Sequence, residues 1–196
     1  DRPDRTVPSH GTACCRRAGS RETSPIYAVS PESRAAAAVR LYKATDFPFA
    51  WKPIATLLHG SYDDPTLFRY EGTWWMFASN WHATLHLFYA DDLEGPWIEH
   101  PMSPVVQDDA RNARPAGRVI VLEGCLIRYA QDCIESYGIQ VHAFEITELT
   151  KKHYAERERA DNPLLTGSGS GWNRQRMHHV DVHRVGADGG RRRGGP

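Results

Sequence analysis

The sequence predicts an all-β fold of propeller type, with about three antiparallel four-stranded blades. Three observations carry that expectation. The stretch from Asp63 to His100 reads as one complete blade whose strands are apolar on both faces. Two acidic-glycine turns, Glu71-Gly72 and Glu123-Gly124, stand in the same place relative to their flanking strands. An antiparallel sheet in a simple two-layer protein has one wet face, so a sheet apolar on both sides has to stand between two others.

The elements follow in order. Residues 1–38 carry Pro, Ser, Thr and Arg without periodicity and end in an alanine run, which reads as a disordered leader. Val39 to Lys43 and Ile54 to Leu58 read as outer strands of a first blade, joined by the aromatic connection Phe47 to Trp51. In the central blade, Thr66 to Tyr70 is closed by Glu71-Gly72. Trp74 to Ser79 then places Trp74, Met76 and Ala78 opposite Trp75, Phe77 and Ser79, because side chains alternate along a strand. Leu85 to Ala90 repeats the pattern, with Leu85, Leu87 and Tyr89 opposite His86, Phe88 and Ala90. Val119 to Leu122, Leu126 to Ala130 and Gln140 to Ile146 make another blade, and Glu148 to Arg159 reads as a short helix or an irregular outer strand. Met177 to His183 starts a blade that is not finished before the Gly/Arg-rich tail of residues 184–196. The expected division is therefore a leader over 1–38, an incomplete propeller over 39–183 and a disordered tail over 184–196. At roughly 40 to 50 residues per blade, the ordered part amounts to about three blades, where closed propellers have about four to eight.

Composition narrows the function. The 196 residues are 40% hydrophobic and 10% aromatic, an ordinary globular balance, and the net charge of +0 gives no general attraction to nucleic acid or acidic membrane. No apolar run approaches the ~20 residues of a membrane span. The chain begins with Asp1, so a piece of a longer protein is expected. Cys14 and Cys15 lie in the leader, no CxxC spacing occurs, and Cys125 and Cys133 read as buried free thiols.

The ordered set DDPTLFRYEGTWWMF, LFYADDLEGPWIEHP, ARPAGR, LIRYAQDCIESYG and HHVD resembles the N-terminal five-bladed propeller region of glucosamine inositolphosphorylceramide transferases. More remotely it is similar to the family-43 and family-32 glycoside hydrolases. The resemblance spans about Leu41 to Asp181 and implies a partial five-bladed propeller. In full-length plant members an exostosin-type glycosyltransferase domain follows this region, so the resemblance assigns no transferase chemistry to these residues. It implies a Golgi membrane setting for those relatives only, and missing blades or a transferase domain as the partners of this region.

The candidate site residues gather at the expected mouths of inner strands. Asp64, before Pro65, is placed by the resemblance as a carboxylate facing the central funnel, where it would act as a base or hold sugar hydroxyls; capping of the turn by Asp63 and Asp64 is the alternative. The acid of the remote hydrolases would fall at Arg114-Pro115, and a guanidinium cannot deliver a proton to a leaving group. Arg114 and Arg118 suit an anionic sugar, a phosphate or a nucleotide, or else salt bridges to Asp108, Asp109 or Asp132. Gln131, Asp132 and Tyr137 offer hydrogen bonds to hydroxyls, and the tryptophans read as packing between blades. His179, Asp181 and His183 would share a strand face but span about 13 Å, too far for one ion, so no metal and no cofactor is expected. The family's HH-hydrophobic-D pattern instead implies His178, His179 and Asp181 in a carbohydrate funnel. The pair His82 and His86 has helical spacing but sits in a hairpin. The expected function is a carbohydrate-recognising module of a larger sugar-active protein, whose partner is a glycan or sugar-containing small molecule. Whether it is an enzyme stays open, with a glycoside hydrolase or phosphorylase as the alternative.

Overall fold

The structure, a computed structural model, describes residues 13–15, 25–32, 36–80 and 83–182. Among these residues there is no helix, and the strands form three antiparallel sheets. The first contains β1 (Ala13–Cys15), β2 (Tyr27–Pro31), β3 (Ala38–Asp46) and β4 (Ala50–His59), side by side in chain order. The second contains β5 (Asp63–Tyr70), β6 (Thr73–Asn80), β7 (Thr84–Ala90) and β8 (Ile98–Glu99), again in chain order. In the third, β9 (Arg114–Pro115) and β10 (Ile120–Leu122) pair with opposite ends of β11 (Cys125–Asp132), so together they act as one interrupted inner strand. Beyond β11 come β12 (Gln140–Leu149) and then β13 (Tyr154–Glu158) and β14 (Leu165–Thr166), which pair with separate parts of β12. Each sheet is a blade of a β-propeller.

The alternation along β6 and β7 decides how the blades stack. Met76, Ala78 and Phe88 face the first sheet, packing with Val29, Val39, Leu41 and Leu58. Trp75, Phe77, Leu85 and Leu87 face the third sheet, packing with Leu126, Ile146 and Tyr154. The middle blade is thus buried on both sides, as its two-faced hydrophobicity requires. Trp75 is 3% exposed, while Trp74 on the other face is half-buried beneath the Arg69 guanidinium at 5.7 Å. In both acidic-glycine turns the two central residues have positive φ (Glu71 47°, Gly72 83°; Glu123 52°, Gly124 87°), the type I′ combination that matches strand twist.

Between the second and third sheets lies a buried ionic group. Arg128 is 1% exposed and donates from Nε to Glu156 Oε2 at 2.8 Å, from Nη2 to Glu156 Oε1 at 2.6 Å and from Nη1 to the Asn112 carbonyl at 3.0 Å. Tyr154 Oη donates to Glu156 Oε2 at 2.6 Å, and the Arg128 guanidinium lies over Phe144 at 4.7 Å and Phe77 at 5.7 Å. Burial alone would lower the Arg128 pKa, but the adjacent Glu156 carboxylate raises it overall; burial pushes Glu156 up, and Arg128 holds it below the ordinary carboxylate range.

Two boundaries differ from expectation, and one open alternative is resolved. The first blade begins within the stretch read as a leader, because β2 pairs with β3 from Tyr27↔Lys43 to Pro31↔Val39 and buries Ala28 and Val29. Five residues flanked by Pro and Ser give little periodic signal; cross-strand pairing supplies the order. The ambiguous segment 148–159 resolves as a strand, β13, with a bulge against β12. Met177 to His183 contains only a single parallel bridge, Val180 to Gly117, and His183 lies outside the described residues. The remainder of the expected leader, residues 1–12, 16–24 and 33–35, and the expected tail likewise lie outside them.

Candidate ligand-binding site

The first strand of the middle blade opens on a bulge. Asp63 pairs with Ser79 and Thr66 with Phe77, so two residues, Asp64 and Pro65, stand opposite one. Asp64 has φ +47°, although a residue before proline prefers extended backbone. Left-handed geometry at a non-glycine residue costs about 1–3 kcal/mol, and such strain concentrates at functional positions. The bulge turns the Asp64 carboxylate across the blade boundary, where Oδ2 accepts from Arg114 Nε at 2.6 Å and from Gln131 Nε2 at 3.0 Å. Register brings those two donors together, since Arg114 on β9 pairs directly with Gln131 on β11. Gln131 is 2% exposed and donates also to the Pro115 carbonyl at 2.9 Å, which fixes its amide.

The loop after β11 completes the group. The Arg114 guanidinium lies over the Tyr137 ring at 4.9 Å, and Tyr137 meets the His178 ring at 5.3 Å. Gly138, at φ +61°, permits this approach: a Cβ there would stand 2.2 Å from His178 Cβ. Beside the group opens a cavity of about 290 Å³, lined by Asn80, Ala83, Ala110, Ala113, Arg114, Cys133 and Tyr137. Among the described residues no acceptor is bonded to Arg114 Nη1 or Nη2. Burial works to lower the Arg114 pKa, yet Asp64, with smaller contributions from Tyr137 and Asp63, raises it overall. Burial raises the Tyr137 hydroxyl and the Cys133 thiol, so both stay protonated at neutral pH and neither is an activated nucleophile.

Asp64, Arg114, Gln131, Tyr137 and His178 therefore come together, while the other expected site residues do not join them in contact. Asp63 accepts Ser79 Oγ on its carbonyl at 3.2 Å and acts on Arg114 only through its field. Arg118 forms a separate pair with Asp181 (Nε to Oδ1, 2.7 Å) and donates to the Val182 carbonyl at 3.4 Å. Asp132, next to Gln131, points to the opposite face by strand alternation; it accepts the Ile134 N–H at 2.9 Å and faces His142 Nε2 at 3.5 Å. His179 is exposed, and His178 takes the place against Tyr137. Trp75 and Trp97 pack in the core and Trp172 is 90% exposed. His86 bonds Asn80 at 3.2 Å and Glu99 at 2.8 Å, and His82 lies outside the described residues. Among the described residues no group of three or more His, Cys, Asp or Glu is arranged to hold a metal ion.

Sequence reasoning missed the cavity walls. Asn80, Ala83, Ala110 and Ala113 bear no motif, and Cys133, expected as a buried free thiol, is free but only half-buried, at the cavity edge. The only signal was position, since Asn80 ends the strand paired with β5 and Cys133 follows Gln131-Asp132.

Residues 21–189 match the family described as "Glucosamine inositolphosphorylceramide transferase 1, N-terminal". Glucosamine inositolphosphorylceramide transferase 1 of Oryza sativa subsp. japonica is 34% identical over 173 residues, covering 81% of this chain and 23% of that protein. The Arabidopsis thaliana protein of the same name is 30% identical over 164 residues, covering 79% of this chain and 21% of its own length. The chain thus spans less than a quarter of these relatives. Among solved structures, a xylan β-1,4-xylosidase from Bacillus halodurans C-125 superposes with a TM-score of 0.57 over 81% of this chain and 32% of that one, at 16% identity, a likeness of fold alone. Among the described residues no helix is long and apolar enough to cross a membrane. From the match over 21–189 and these identities, the chain belongs to the glucosamine inositolphosphorylceramide transferase 1 N-terminal family.

Proposed function

We propose that this chain is a carbohydrate-recognising propeller module and part of a larger sugar-active protein, in which further blades or a transferase domain complete the assembly. The observation that carries the reading is the fixed polar group of Asp64, Arg114 and Gln131 beside the cavity of about 290 Å³. Sugar recognition needs rigid donors and acceptors next to an aromatic face. Here strand pairing holds Arg114 and Gln131, the guanidinium has two nitrogens left for hydroxyls, and Tyr137 supplies the ring. The sugar-related names of the relatives and of the propeller neighbour point the same way. Calorimetric titration of the chain with a panel of glycans tests it. Saturable binding that Arg114→Gln weakens at least about ten-fold, or about 1.4 kcal/mol, is expected; a folded chain that binds none of the panel, or a variant that binds as well, contradicts it.

Hydrolysis or phosphorolysis is the second reading. Hydrolysis requires a second carboxyl group placed to donate a proton, and the partner of Asp64 is instead a guanidinium. Asp64 Oδ2 is also engaged by two donors, Arg114 Nε and Gln131 Nε2. Release of phenol from aryl glycosides, or formation of sugar phosphate, that Asp64→Asn abolishes would favour this second reading over recognition alone.

A further inference from the structure

We propose that Asp64 sets the charge preference of the cavity: by holding Arg114 in an ion pair, it makes the site one for an uncharged sugar residue and against uronates and sugar phosphates. The inference rests on the carbohydrate reading and deepens it. Among the described residues Arg114 is the charged side chain in the cavity wall, and on its own it would draw a carboxylate or phosphate in bidentate contact. It is not on its own. Asp64 takes Nε at 2.6 Å, and Asp63 lies near enough for its negative field to reach both Arg114 and Tyr137. Among the described residues, Asp64 in direct contact and Asp63 at longer range offset the charge that Arg114 brings to the cavity wall. A second arginine does not make up the difference, because Arg118 is paired with Asp181.

The backbone indicates that this pairing is built and not incidental. Asp64 is held left-handed before Pro65 by a strand bulge, and the same bulge aims its carboxylate at Arg114. What remains of Arg114, the two Nη groups, is a fork of neutralised donors suited to vicinal hydroxyls. The cavity of about 290 Å³ sits at the small end of ligand sites, consistent with one terminal sugar residue and not a nucleotide.

The test uses matched methyl pyranosides and methyl uronosides of the gluco and galacto series, with the full chain, by calorimetry. The wild-type chain is expected to bind the neutral member of a pair about ten-fold more tightly than its uronate. Asp64→Asn keeps an oxygen for both donors and tolerates the left-handed backbone, so it folds while releasing the charge of Arg114. In that variant the preference is expected to fall to parity or reverse. Uronates bound as tightly as neutral sugars by the wild type overturn the inference while leaving carbohydrate recognition standing. So does a neutral-to-uronate ratio unchanged in Asp64→Asn with only stability reduced, the result for a pair that merely clips two blades together. If no sugar of either kind binds, the carbohydrate reading itself fails, and this inference with it.

Discussion

Replacing Glu156 by Gln preserves the shape of the layer between the second and third blades and removes the counter-charge of Arg128. The guanidinium is 1% exposed, packed between two phenylalanine rings, and takes both of its carboxylate contacts from Glu156. Removing one partner of a buried pair leaves an uncompensated charge and costs about 3–5 kcal/mol. In a chain of this size each kcal/mol is worth about 2–4 °C, so the melting temperature is expected to fall by about 6–20 °C. The informative comparison is the double replacement Arg128→Met with Glu156→Leu. It removes both charges and fills the space with apolar atoms, and buried pairs exchanged in this way often come out near neutral. Urea unfolding followed by tryptophan fluorescence reads all members of the cycle. A Glu156→Gln cost below about 1 kcal/mol, or costs of Arg128→Met alone and Glu156→Leu alone that simply add in the double variant, would refute the claim that this pair is buried and coupled.

The remaining predictions address other parts of the molecule. Because Arg128 holds Glu156 below its unfolded value, the pair's contribution is fully present above the ordinary carboxylate pKa of 4.5 and is lost as pH falls through the depressed folded value; an acid titration of stability should lose that component in Glu156→Gln. Phe77→Ala, at a fully buried ring stacked on Phe68 at 5.6 Å, should cost about 3–5 kcal/mol, whereas Phe49→Ala, at a side chain 81% exposed, should stay within about 0.5 kcal/mol. Equal effects on denaturation midpoint would contradict two-sided burial of the middle blade. Gly138→Ala should push His178 away from Tyr137 and loosen the segment that follows, seen as faster hydrogen exchange at the Val180 amide, which donates to the Ala116 carbonyl at 2.8 Å. Unchanged exchange would show that the close approach at Gly138 is not what holds the segment.

Much of the fold was legible because strand alternation leaves a mark two residues long. Trp75 and Phe77 went to one side and Met76 and Ala78 to the other, as their order requires. The Glu-Gly turns were legible for a similar reason, since few residue pairs supply two consecutive positive φ values. β2 was not legible, as its five residues lack a pattern of their own and owe their order to β3. Arg128 could not be distinguished from a surface arginine, because its partner Glu156 arrives from β13, 28 residues away. Within the site, Asp64 and Arg114 were visible through motif position, but their direct pairing depended on the bulge at Pro65. His178 and His179 are adjacent in sequence, and only the seat offered by Gly138 selects His178.

Occupation of the cavity can be read directly from one atom in its wall. Cys133 lines the cavity beside Arg114 and Tyr137, whereas Cys125, also free and partly exposed, begins β11 at the far end of that strand. Site-resolved alkylation of both thiols by mass spectrometry, with and without a saturating glycan identified by calorimetry, compares the two ends within one molecule. Slowing at Cys133 by several-fold with Cys125 unchanged is the predicted result; a bound glycan that leaves the Cys133 rate untouched would place recognition elsewhere and contradict the account.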